Sequence, residues 1–194
     1  MKYQPTTVPR LIAVAVAAVA GLAISSAAYA ATSSPAAPAA AAIPQCAAAF
    51  GQDGNVGAWV PANEGDGAAG TVYYPLEFTN ISGHTCSLFG YPGVSAVSST
   101  GQQLGRPAGW GSLSGARRVV LAPGATAHTI LAIHNVYSFT KRVCDPVHAV
   151  GLRIYLPDQR LATSVAFSFE ACSRTGIVYM GVDPILAGAG TING

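Results

Sequence analysis

Residues 78–105 read FTNISGHTCSLFGYPGVSAVSSTGQQLG. The segment passes from a strand end through a turn to Cys86, then through the aromatic corner Phe89-Gly90-Tyr91-Pro92-Gly93 into a short strand and a hairpin turn. Just upstream, residues 71–80 alternate. Val72, Tyr74, Leu76 and Phe78 fall on one face, and Tyr73, Pro75, Glu77 and Thr79 on the other. A period of two carried by β-branched and aromatic residues marks a half-buried strand. Pro75 brings no N–H to a ladder, which places that part of the strand at an edge or beside a bulge. Residues 80–83 supply turn chemistry. Residues 94–97 and 102–104 flank the turn at 98–101 as a hairpin.

The same grammar continues downstream. Residues 118–121 form a strand, and Pro123-Gly124 fits a type II turn, whose third position needs a positive φ. In residues 126–135, Ala127, Thr129, Leu131 and Ile133 oppose His128, Ile130, Ala132 and His134. Val150, Leu152, Ile154 and Leu156 form the next face, Val165, Phe167 and Phe169 another, and residues 177–182 a last strand. No segment after residue 45 sustains a 3.6-residue period with caps. Seven or eight short strands separated by Gly, Pro and Ser turns predict an all-β antiparallel β-sandwich, because open sheets must each hide one face.

The N-terminal stretch has a different character. Lys2 and Arg10 precede the apolar run LIAVAVAAVAGLAI at 11–24, and Ala28-Tyr29-Ala30 follows. A basic start, a short apolar core and an A-x-A site predict a signal peptide at 1–30, cleaved before Ala31. The run falls short of the roughly 20 apolar residues a membrane span needs. No cysteine stands at the cleavage point, so the expected product is an extracellular chain without a lipid anchor or membrane span. Residues 31–44, ATSSPAAPAAAAIP, form a Pro/Ala-rich spacer with too little apolar bulk for a core. Residues 45–194 are left as one sandwich domain, long enough for a single core.

Four cysteines in an exported chain, Cys46, Cys86, Cys144 and Cys172, predict two disulfides. Three connectivities are open. The favoured one joins Cys46 to Cys86 and Cys144 to Cys172, each closing a loop within one half of the domain. Their spacing has nothing of a zinc framework.

The order of motifs resembles a secreted actinobacterial family, domain of unknown function 4232. The matching residues are Cys46, the FTN at 78–80, TCSLFGYPGVS at 85–95, GQQLG at 101–105, LAPGATAHTIL at 121–131, Cys144, LRIYLP at 152–157 and Cys172. The resemblance covers most of residues 45–185. It implies an immunoglobulin-like sandwich in an exported, envelope-associated protein, and implies no activity.

Charge excludes some functions. With Lys2 and Arg10 set aside as leader, eight basic residues face eight acidic ones. No block of one sign is long enough to hold nucleic acid. His128 and His134 share a strand face but stand roughly 20 Å apart along it, so a metal would have to be gathered across strands with His84 or His148. No G-x-S-x-G elbow is present. Glu64 and Asp66 in NEGDG lack the spacing of a dedicated calcium loop. Asn80-Ile81-Ser82 is a formal glycosylation sequon. The surface candidate is the loop GRPAGWGSLSG at 105–115, where Arg106 and Trp110 stand among glycines. Arg and Trp are favoured interface anchors, and loops at a sandwich end are common binding sites; the other reading of Trp110 is that it folds back onto the sandwich core. Phe89 and Tyr91 read as core corner residues. The sequence therefore predicts a monomeric, cofactor-free, non-enzymatic binding module, with Arg106 and Trp110 contacting an envelope protein or glycan and no metal or catalytic residues assigned. The alternatives are a secreted hydrolase with an unrecognised site and a metal-carrying envelope protein using cross-strand histidines.

Overall fold

A computed structural model of the protein describes residues 42–48, 54–62, 65–111 and 115–192. The leader expected at 1–30, most of the spacer, Asn63, Glu64 and the serines of the 105–115 loop lie outside the described residues. Thirteen strands occur among the described residues. In chain order they are β1 (Val56–Trp59), β2 (Asp66–Ala68), β3 (Thr71–Asn80), β4 (Cys86–Phe89), β5 (Gly93–Val97), β6 (Gln103–Leu104), β7 (Gly109–Trp110), β8 (Arg118–Leu121), β9 (Thr126–His134), β10 (Pro146–Tyr155), β11 (Ala162–Cys172), β12 (Met180–Val182) and β13 (Leu186–Ala187). Eight have four or more residues, in line with the seven or eight expected. The other five are pairings of two or three residues, too short to leave a periodic signal.

The larger sheet runs β1-β3-β9-β12-β7, with β2 also on β3 and β13 also on β9. The smaller sheet runs β11-β10-β5-β6, and β4 and β8 form a separate ribbon. The strand pairs are antiparallel except β7 with β12. The sheets pack as a sandwich. Leu76, Phe78, Leu131, Leu152, Ile154, Tyr179 and Met180 are fully buried between them, each large apolar side chain contributing about 1.5–3 kcal/mol by its removal from water.

Alternation explains most of this burial. In β9 Ala127, Thr129, Leu131 and Ile133 are buried while the residues between them are not. Pro75 pairs with Ile130 of β9 on one side. On the other side β2 ends its register opposite Tyr73 and β1 begins opposite Glu77. The missing N–H thus falls in the gap between two short partner strands.

Alternation fails in β10. Val150 was expected on the inner face with Leu152 and Ile154, but it is 39% exposed. A register shift between Ala149 and Gly151 switches the face of the strand, so Ala149 points in instead. Gly151 permits the shift, since a Cβ there would stand 2.7 Å from the Val165 carbonyl oxygen.

Two disulfides and one amide add cross-links to the strands. Cys46 is joined to Cys86 on β4, and Cys144 to Cys172 at the end of β11; all four cysteines are buried. The buried Asn80 amide donates to the Leu121 carbonyl at 2.9 Å and the His84 carbonyl at 2.8 Å. Its oxygen accepts from the Ser82 N–H at 3.0 Å and from the Ser82 hydroxyl. That side chain ties the larger sheet to the β4–β8 ribbon.

Candidate functional site

Trp110 owes its position to a change of sheet. The Ala108 N–H donates to the Val94 carbonyl of the smaller sheet at 2.8 Å. The chain then joins the larger one, with Gly109 opposite Gly181, Trp110 opposite Val182, and the Gly111 N–H donating to the Val182 carbonyl at 2.7 Å. Ala108 is buried before the crossing, whereas Trp110 after it is 73% exposed. What was expected to be loop at 109–110 is strand. The crossing sets the indole outward on a backbone hydrogen-bonded at both ends.

The indole has a ring partner. Tyr91 stacks on Trp110 with centroids 5.1 Å apart and planes 15° from parallel, a favoured geometry for aromatic pairs. Gly90 delivers the tyrosine. Its φ of +110° is open to glycine and strained for other residues, and its carbonyl accepts the Ile185 N–H at 2.9 Å. Tyr91 is therefore half-buried at the surface and is no core corner residue. Phe89 departs from expectation in the same way. It is 48% exposed, and the Arg118 guanidinium lies 6.0 Å from its ring centroid.

Arg106 is exposed, as Trp110 is, and its N–H donates to the Ile177 carbonyl at 2.9 Å. The structure gives Trp110 a tyrosine for a stacking partner, and the guanidinium seated over a ring belongs to Arg118. Trp59 is half-exposed, with its indole N–H donating to the Thr79 hydroxyl at 3.2 Å. The sequence reads Tyr91 as a core corner residue because residue order does not reveal the positive φ of Gly90.

Other candidates are dispersed. His128 bonds the Gly188 carbonyl through Nδ1, His134 the Thr71 hydroxyl, and His148 the Glu170 carboxylate at 3.3 Å. No group of three His, Cys, Asp or Glu able to hold a metal occurs among the described residues. The amide of Asn80, the sequon residue, is buried and hydrogen-bonded on both its nitrogen and its oxygen.

Fold and surface together define a disulfide-linked antiparallel β-sandwich carrying an outward aromatic pair. A family model described as "Domain of unknown function (DUF4232)" matches residues 52–185, and the chain belongs to that family. No curated protein matches the chain.

Proposed function

We propose that the domain is a non-enzymatic binding module of the extracellular space or cell envelope, and that Trp110 stacked on Tyr91, with the exposed Arg106 of the same segment, is its contact surface. The observation that carries this reading is an indole 73% exposed on a backbone fixed by β12. A large apolar face held in water favours burial against a partner, and its rigid mounting lowers the ordering cost of binding. The pair presents a flat face, which suits a sugar ring or the apolar patch of a protein. Two disulfides favour an oxidising compartment. No helix among the described residues is long and apolar enough to cross a membrane. The signal peptide read at 1–30 would export the domain, and the spacer at 31–44 would hold it off the surface.

A fluorescence titration tests the reading. In a Trp59→Phe background Trp110 is the one remaining indole. Soluble glycan fragments and solubilised proteins from a bacterial envelope are the probes, added separately. Saturable quenching or a blue shift that weakens in Arg106→Ala is the expected result. No saturable response from either probe, or a response unchanged by Arg106→Ala, would contradict it.

A further inference from the structure

The sandwich is not closed at the end marked by the β2–β3 turn and the short 3-10 turn Val136–Ser138. Alternation points Val72 and Tyr74 of β3 and Phe167 and Phe169 of β11 inward, where a sandwich normally buries such residues. Here Val72 is 36% exposed and the three aromatics are half-buried. They surround an open cleft of about 390 Å³ whose lining includes Val72, Tyr74, Ile133 and Phe169. That volume falls in the range of small-molecule sites. Phe167 supports the wall from behind, edge-on to Tyr74 at 4.9 Å and tilted against Phe169 at 5.4 Å. The rings are thus braced against one another.

Polar groups converge on the rim. Glu170 lines the cleft, accepts the Tyr137 hydroxyl at 3.1 Å and stands 3.3 Å from His148 Nδ1. Opposite, the His134 Nδ1 is engaged with the Thr71 hydroxyl at 2.8 Å. Neither lysine nor arginine lines the cleft, so its one formal charge at neutral pH is the Glu170 carboxylate.

We propose that this cleft binds a small organic cation, an alkylammonium or quaternary ammonium head on an apolar body. Aromatic faces attract such cations electrostatically while accepting their methyl groups, and Glu170 supplies the opposite charge. An anion would meet the Glu170 carboxylate with neither lysine nor arginine in the lining to offset it. A purely apolar ligand would make no use of the charged rim. The site is separate from the Trp110 surface and does not depend on it.

Choline and its uncharged isostere 3,3-dimethylbutan-1-ol serve as probes, titrated separately into the purified full-length chain and followed by NMR of the aromatic resonances at low salt. Choline should shift Tyr74 and Phe169 saturably, and the neutral isostere should bind more weakly. Glu170→Gln alters an exposed side chain and should keep the fold, as checked by its unperturbed core resonances. It should weaken choline about fivefold or more, by loss of one nearby charge, and leave the isostere unchanged. Equal binding of the two probes, choline binding insensitive to Glu170→Gln, or no saturable shift with either would overturn the proposal.

Discussion

Asn80 joins the backbone of the 80–84 turn to that of β8. Removing its amide leaves the Leu121 and His84 carbonyls without that donor, one of them in a buried hydrogen bond. A buried group left unsatisfied costs about 1–3 kcal/mol, so Asn80→Ala should destabilise the domain by about 3 kcal/mol in equilibrium urea denaturation. A loss under about 1 kcal/mol would show that water replaces the amide. In the sequence Asn80 reads as a turn residue within a sequon, because nothing local marks a polar side chain whose partners lie on distant strands. Tyr179 was equally illegible. It is fully buried, its hydroxyl donates to the Leu104 carbonyl at 3.2 Å, and burial pushes its pKa well above the usual tyrosine range. Gly105 makes room for that ring: its φ is +69° and a Cβ would stand 2.4 Å from Tyr179 Cε1. Burial also raises the carboxyl of Asp183. A folded pKa above the unfolded one means that the folded state holds more protons, so stability declines as pH rises through that window. Asp183→Asn should accordingly be more stable than the parent at neutral pH and lose that advantage on acidification below the unfolded carboxylate pKa. An advantage independent of pH would point to a cause other than charge burial.

At the scale of strands and turns, alternation was readable wherever the ladder is regular and failed where it is interrupted. β9 follows the expected faces along its length, β3 buries Leu76 and Phe78 as expected but exposes Val72 and buries Pro75, and the Pro123-Gly124 turn has the positive φ of +76° at Gly124 that its type requires. The face switch at Gly151 was not readable, since a bulge leaves the apolar composition of β10 intact and alters only its phase. Glu77 shows another limit. It lies on the outer face of β3 as expected, yet it is buried, because the chain beyond β13 crosses that face and the Gly190 N–H donates to its carboxylate at 2.8 Å. A contact 113 residues away has no local signal. The β2–β3 turn offers a test of local strain. Ala69 and Gly70 both have positive φ, 49° and 82°, the pattern of a type I′ hairpin turn, which favours Asn-Gly. A left-handed alanine costs about 1 kcal/mol. Ala69→Asn should therefore raise the unfolding free energy by about 0.5–1 kcal/mol, and an unchanged or lower value would mean that the turn is not strained at Ala69.

For the molecule as a whole, the fold class was legible because many short strands, turn residues and an even set of cysteines agree with one another. The candidate surface was half legible. Trp110 and Arg106 stood out by residue type, but Tyr91 emerged only once Gly90 turned it outward, and the cleft between the sheets arises from how two distant strands pack. The disulfides close loops with sequence separations of 40 and 28 residues. In the chain-entropy description each is worth about 3–4 kcal/mol, so replacing either pair with alanines should lower stability by about that amount in denaturant unfolding, and a loss under about 1 kcal/mol would show that the native packing does not rely on them. The central claim is that Trp110 is a surface group mounted on the core, available to a partner. Equilibrium denaturation of Trp110→Ala tests it most directly. A free energy within about 1 kcal/mol of the parent, as for surface substitutions, is the expected result. A loss of about 3–5 kcal/mol, the cost of deleting a buried tryptophan, would place the indole in the core and contradict the claim.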